Sequence, residues 1–235
     1  MFKNAAIIGD GGMATAMSII LCHKGLQVRM WGHDAEQLEQ IKAGGENFKF
    51  LPGHKLPESL QFEADDSRIF EGVDMAVSAV PCQYTRGVWE RLSNHIPIGL
   101  PVVSVTKGIE NETLSRPSEV IANVVGAAIP LAVLSGPTIA DELARHLPAS
   151  ASVASTDSEL AEEFQQTISV SWFRLYTNTD MAGVELAGAM KNVIAIAAGI
   201  ADGTGVGDNA KAALVARGLA KIKRLGVAMG AMAET

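Results

Sequence analysis

The chain is predicted to be an α/β protein, a doubly wound parallel sheet with helices on both faces followed by an all-helical region. Three observations predict it. Short apolar runs at residues 5–8, 26–31, 74–80 and 101–105 alternate with helical patterns, as βαβ units do. A glycine-rich turn joins the first run to the first helical pattern. Beyond Asp180 no further strand pattern occurs, only two long helical patterns separated by Asp202-Gly203-Thr204-Gly205-Val206-Gly207-Asp208. The domain boundary is therefore placed near Asp180, dividing residues 1–179 from residues 180–235.

The composition is that of an ordinary globular protein, with 235 residues, 48% hydrophobic and 19% charged, enough for one large domain or two modest ones. A net charge of -7 argues against a nucleic-acid partner, which needs a basic face. It leaves room for a small phosphorylated ligand, which a few local cations can hold. Cys22 and Cys82 read as packing residues, and no Cys/His spacing supports a disulfide framework or a zinc site. The first strand follows the N-terminus without a signal-peptide pattern, so a cytoplasmic location is expected. The most apolar region, residues 182–201, is interrupted by Glu185 and Lys191 and rich in Ala and Gly. A buried helix, not a membrane span, is expected there.

Taken in order, Ala5-Ala6-Ile7-Ile8 reads as a buried strand running into Gly9-Asp10-Gly11-Gly12-Met13-Ala14, after which Ala16, Met17, Ile20 and Leu21 recur at helical spacing. On such a strand-to-helix turn, Gly9 makes the tight bend and Gly11 admits the backbone to a pyrophosphate. A small residue at 14 lets helix and strand pack closely, and the helix N-terminus holds the phosphates. The second strand, residues 26–31, ends in Trp31-Gly32-His33-Asp34. Asp34 reads as the N-cap of a helix over 35–43, which leaves His33 near the ribose. A histidine there does not repel a 2′-phosphate as an acid would, so strict NAD preference is not expected. Residues 44–58 read as a loop, 60–62 as a short strand and 67–70 as a short helix. The strand over 74–80 is closed by Pro81; a helix through Trp89 and Leu92 and the strand over 101–105 follow. A strand over 150–154, a helix over 157–168 and a strand over 172–176 complete the sheet pattern.

Ligands of such sheets bind beyond the carboxyl ends of the strands. Three ends fall there: Val80-Pro81, Val105-Thr106-Lys107-Gly108 and Leu134-Ser135-Gly136-Pro137-Thr138. The second brings Lys107 to the cleft mouth, and the third offers glycine, a hydroxyl and the next helix N-terminus, a set that suits an anion. Lys191-Asn192 interrupts the apolar surface of the first late helix. Such a lysine either snorkels or pairs with Glu185 or Asp202, or it stands over the cofactor cleft for proton transfer. Composition leaves both readings open.

The chain resembles the bacterial NAD(P)-dependent sn-glycerol-3-phosphate dehydrogenases along essentially its whole length. The stretches that carry the resemblance are the glycine loop, Trp31-Gly32-His33-Asp34, Phe50-Leu51-Pro52-Gly53, Val105-Thr106-Lys107-Gly108-Ile109-Glu110, Leu134-Ser135-Gly136-Pro137-Thr138-Ile139-Ala140, Leu186 through Ala195 and Asp202 through Leu214. It implies a Rossmann-like sheet followed by an all-helical substrate domain, and reversible reduction of dihydroxyacetone phosphate to sn-glycerol 3-phosphate by NADH or NADPH for glycerophospholipid synthesis. By position, Gly12, Met13, His33 and Ala140 match the family's cofactor contacts, beside Gly9 and Gly11 of the loop, and Lys107 matches a lysine that meets both cofactor and substrate. Gly136 and Thr138 match substrate contacts, and Lys191 the catalytic proton donor and acceptor; Asn192, next to it, is expected to hold the substrate region by hydrogen bonding. Gly12, Met13 and Ala14 depart from the Ser, aromatic and Gly of the family's loop; Ala14 is compatible with it, and Met13 bears on how the cofactor is covered. The resemblance also implies later G-L-G-D-L and S-x-N-R segments, which are absent from these residues. The helical domain is therefore expected to be truncated and the chain inactive alone. A homodimer is the default assembly. The rival readings are another dehydrogenase of the superfamily, such as a ketopantoate reductase, and a non-catalytic NAD(P)H-binding sensor.

Overall fold

The computed structural model describes all residues, Met1–Thr235. The chain forms β1 (Asn4–Ile8), α1 (Gly12–His23), β2 (Gln27–Trp31), α2 (Ala35–Gly44), β3 (Glu46–Asn47), β4 (Leu51–Lys55), β5 (Gln61–Glu63) and β6 (Met75–Ser78). There follow α3 (Thr85–Leu92), β7 (Val102–Ser104), α4 (Pro117–Val125), β8 (Leu131–Ser135), α5 (Ala140–Ala144), β9 (Ala149–Ala154), α6 (Ser158–Ile168), β10 (Phe173–Asn178), α7 (Met181–Gly203) and α8 (Asp208–Ala228). One sheet runs in the order β10-β9-β8-β7-β6-β1-β2-β5, so β1 sits between β2 and β6 with Ile7 beside both Met30 and Val77.

Successive β1 residues point to opposite faces, and both faces are dry. Ala5 and Ile7 join a core with Met17, Ile20 and Leu21 of α1 and Phe164 of α6. Ala6 and Ile8 join a second core with Trp89 and Leu92 of α3 and Ile121 of α4. An unbroken apolar run is what a strand covered on both sides requires. The doubly wound architecture follows, with the carboxyl ends of β1, β6, β7 and β8 opening on one edge.

Five features differ from the sequence expectation. Residues 44–58 hold the antiparallel β3–β4 hairpin instead of only a loop. Polar anchoring supports it: the fully buried Asn47 side chain donates to Asp10 O and to Thr15 Oγ1, each at 2.8 Å. Residues 67–70 are turns, not a helix, because Asp65 ties back Ser67 and Arg29 takes the carbonyls of Arg68 and Glu71. The helix α4, opened by Pro117 at its first position, was not anticipated. The sheet is also not wholly parallel, since β9 runs antiparallel to β8. The five-residue α5 rises only about 7 Å, too little to carry the chain back along β8 for a parallel return. Finally, α7 is not buried throughout. Val184, Glu185 and Leu186 are buried, while Val193, Ile196 and Ile200 face outward. By length and composition α7 could cross a membrane, with 28% of its most apolar window buried. Here it packs on β8 and β9 and along α8, where Ile194 fills the space a side chain at Gly218 would need.

The start of α7 is fixed by charge. Asp180 caps it by accepting from Gly183 N at 2.8 Å, and its other oxygen accepts from Met232 N at 2.7 Å. One turn on, buried Glu185 accepts from Ser118 N at 2.9 Å, Ser118 Oγ at 2.6 Å and Arg116 Nη1 at 2.9 Å. Removing one partner of a buried pair strands the other charge. Arg116→Ala is therefore expected to cost about 3–5 kcal/mol in urea unfolding. Arg116→Ala combined with Glu185→Gln should cost less than the single change.

Candidate functional site

The glycine loop sits where backbone meets backbone. Gly9 has φ +119°, and a Cβ there would lie 2.8 Å from Ala79 O. Its own N–H donates to Trp31 O at 2.9 Å. A Cβ on Gly12 would lie 2.7 Å from Phe50 O, whereas one on Gly11 would meet nothing within 4 Å. Gly9 and Gly12 are thus needed for close packing, and Gly11 faces open space. No side chain caps α1, so its first N–H groups are free to hold an anion.

These glycines form one wall of a cleft of about 810 Å³, within the range of small-molecule and cofactor sites. Trp31, Val80, Pro81, Tyr84 and Val88 give it an apolar side, and Lys107, Thr138, Lys191 and Asn192 a polar end. Gly9, Gly11, Gly12, Met13 and His33 line it as well. Gly136 and Ala140 stand just outside this lining. Gly136 is closely packed, since a Cβ there would stand 2.8 Å from Ala151 Cα. Ala140 lies behind the glycine loop, 3.8 Å from the Cβ position of Gly12.

At the end of β2, Asp34 is committed to capping α2, accepting from Glu36 N and Gln37 N. His33 is exposed and faces the cleft. Asp10, beneath Gly32, accepts from Gln37 Nε2 at 2.6 Å, and Gln37 Oε1 accepts from Lys49 Nζ at 2.9 Å. Burial pushes the Asp10 carboxyl up, against the pull of His33. Asp10, Phe50 and Tyr84 all line the cleft and were not assigned to it from the sequence, although Asp10 and Phe50 lie in stretches that carry the resemblance. Phe50 sits in the turn between β3 and β4, and Tyr84 just beyond the end of β6.

At the polar end, Lys107 Nζ donates to Thr138 Oγ1 at 2.9 Å. Burial, reinforced by Lys191, pulls its ammonium down to about 8. The turn carrying it is tight: Gly108 has φ +133°, and a Cβ there would lie 2.8 Å from Cys82 Cβ. Arg86 grips Glu110 through two bonds of 3.0 and 2.7 Å and holds this loop against α3. The partners first considered for Lys191 are engaged elsewhere, Glu185 with Arg116 and Asp202 with Lys211 at 2.7 Å. Lys191 Nζ donates to Asn192 Oδ1 at 3.0 Å and faces the cleft. One turn earlier, Gly188 lies against Ser135 Oγ, a buried hydroxyl with no other partner. Only glycine lets α7 come this close to the end of β8.

Open donors at a helix start, a cradle without room for side chains and apolar walls fit a nicotinamide dinucleotide, with two lysines at the reacting end. The fold and site define a dinucleotide-dependent oxidoreductase. The family model for the NAD-dependent glycerol-3-phosphate dehydrogenase N-terminus matches residues 4–161, and that for the C-terminus matches residues 180–235. A glycerol-3-phosphate dehydrogenase [NAD(P)+] of Solidesulfovibrio magneticus is 41% identical over 231 residues, covering 98% of this chain and 70% of the relative. The crystal structure of glycerol-3-phosphate dehydrogenase from Coxiella burnetii superposes with a TM-score of 0.92 at 36% identity, covering 99% of this chain and 71% of that one. A ketopantoate reductase from Ralstonia eutropha, at 15% identity and TM-score 0.60, shares the fold alone. This chain belongs to the NAD-dependent glycerol-3-phosphate dehydrogenase family.

A lysine lowered from 10.5 to about 8 opposes folding. The unfolded chain binds more protons between those values, so the penalty is complete below pH 8 and fades as pH rises toward 10.5. Lys107→Met is expected to raise the thermal midpoint at pH 7, by up to about 3 kcal/mol of stability. That gain should shrink between pH 8 and 10.5 in scanning calorimetry.

Proposed function

We propose that the protein catalyses reversible hydride transfer between NAD(P)H and dihydroxyacetone phosphate, yielding sn-glycerol 3-phosphate for glycerophospholipid synthesis. The observation that carries this reading is the convergence of Lys107, Thr138, Lys191 and Asn192 at one end of the glycine-loop cleft. Gly9, Gly11, Gly12 and Met13, with the start of α1, would hold the diphosphate, and His33 would lie toward the adenosine ribose. When bound, the reduced cofactor supplies a hydride to the substrate's carbonyl carbon. Lys191 Nζ stabilises the negative charge that grows on the carbonyl oxygen and gives it a proton; in the oxidative direction it takes that proton back. Lys107, steadied by Thr138, holds the substrate by charge. Asn192, bonded to Lys191, orients the ammonium. Gly136, beside Thr138, is read as a further substrate contact, and Ala140, 3.8 Å from the Cβ position of Gly12, as a further cofactor contact.

Residues 1–179 are read as the dinucleotide-binding domain and 180–235 as part of the helical substrate domain. Family-model matches that leave 162–179 between them support that division. We read α7, which packs on β8 and α8, as a helix that does not span a membrane, and we propose a cytoplasmic location. A homodimer is the assembly we propose, the commonest closed one.

Oxidation of NADH and NADPH by the longest product of the gene is to be followed with dihydroxyacetone phosphate and ketopantoate side by side. Turnover only with dihydroxyacetone phosphate is the expected result; turnover only with ketopantoate, or cofactor binding without turnover, would overturn the reading. Lys191→Met should lower kcat about 10²–10⁴-fold, the usual contribution of a general acid, with the cofactor Kd within twofold. Because Lys107 loses its charge above about 8, kcat/KM for dihydroxyacetone phosphate should fall as pH rises through that value. Lys107→Arg should move that limb to higher pH.

A further inference from the structure

The β3–β4 hairpin lies across the rim of the cleft, and its attachments are few. On its inner side Asn47 Nδ2 holds the glycine loop through Asp10 O and Thr15 Oγ1, and Phe50 O rests against Gly12. Phe50 itself, 44% exposed, turns into the cleft. The outer strand β4 has far less to hold it. Pro52, Gly53 and Lys55 are exposed, leaving Leu51 and His54 as the residues that face the protein. His54 Nε2 donates to Asp141 Oδ1 at 2.8 Å, with only 11% of the histidine side chain exposed. Asp141 is the second residue of α5, three residues beyond Thr138, which holds Lys107. Its carboxyl is held below the usual carboxylate range, first by His54 and then by Arg145, which reaches its other oxygen at 3.5 Å.

We propose that His54 and Asp141 are positioning residues that clasp the β3–β4 hairpin to α5 beside the glycine loop, so that Phe50 stays over the bound dinucleotide. Without this clasp, β4 is held at its two ends, by the buried Leu51 and by Leu56, which is buried and donates to Gly45 O at 2.8 Å, and the exposed stretch between them is free to lift. Departure of the cofactor is then faster, because a bound ligand is retained in proportion to the population of the closed form. The inference rests on the reading of the cleft as a nicotinamide-dinucleotide site.

The test measures NADPH affinity by fluorescence titration and NADPH release by stopped flow, which need no turnover. His54→Ala and Asp141→Asn are each expected to raise Kd about five- to tenfold, through faster release at an unchanged association rate. Their combination should be no worse than either alone, as for two halves of one contact. His54→Gln, which keeps a donor, should recover affinity to within twofold, and Arg145→Ala should leave it unchanged. Melting temperatures without NADPH should match the wild type, separating a clasp from a general loss of folding. Single variants that bind and release NADPH as the wild type does, or effects that multiply in the double variant, would overturn the clasp. Failure of the wild type itself to bind NADPH would instead overturn the assignment of the cleft.

Discussion

The approach of Gly9 to the Ala79 carbonyl is the contact on which the cleft depends. It sets how closely β1 and β6 can leave the sheet together, and so how sharply α1 turns away above them. A side chain at position 9 would collide with backbone and strain a left-handed φ, with no flexible group to give way. The same device recurs at the other corners. Gly12 lies against the Phe50 carbonyl, Gly108 against Cys82, and Gly188 against Ser135. In each case the missing Cβ is a distance specification: it brings a second element to the rim of one cavity.

Much of this was legible in the amino-acid order, for identifiable reasons. Strands buried on both faces must be continuously apolar, so β1, β2, β6 and β7 stood out, and Asp34 showed itself as a cap by its place before α2. The β3–β4 hairpin did not, because its support is the amide of Asn47 reaching residues 32 and 37 positions away. No local periodicity records such a bond. The reversal of β9 was hidden for a related reason, since strand direction depends on how far the intervening helix travels. Among the site residues, Gly136 and Thr138 read alike as parts of one turn, yet only Thr138 lines the cleft. Gly136 packs against Ala151, on a strand that runs antiparallel to β8.

The charges of the cleft run against those of the whole molecule. A chain of net charge -7 gathers Lys107, Lys191 and the positive end of α1 around a single cavity. Burial disfavours the Lys107 ammonium, and the neighbouring Lys191 adds to that cost. That arrangement makes sense only if an anion offsets it, since a bound phosphate would restore the proton affinity that burial removes. The empty-cleft penalty and the affinity for a doubly charged substrate are therefore two sides of one electrostatic design.

Placing Lys191 over that cavity demands more than putting it on a helix. Lys191 stands six residues beyond Glu185, about 9 Å along the axis, so a small error in pitch at the start of α7 becomes a misplaced ammonium. Two contacts prevent this in different ways. The carboxylate of Glu185, with three donors from Arg116 and Ser118, fixes the rotation of the helix about its axis. Gly188, pressed onto Ser135 at the end of β8, fixes its height above the sheet. Neither residue lines the cleft, yet together they leave the helix one orientation. The sequence places both within seven residues of the lysine, and the chemistry at its tip is set by how the backbone beneath it is seated.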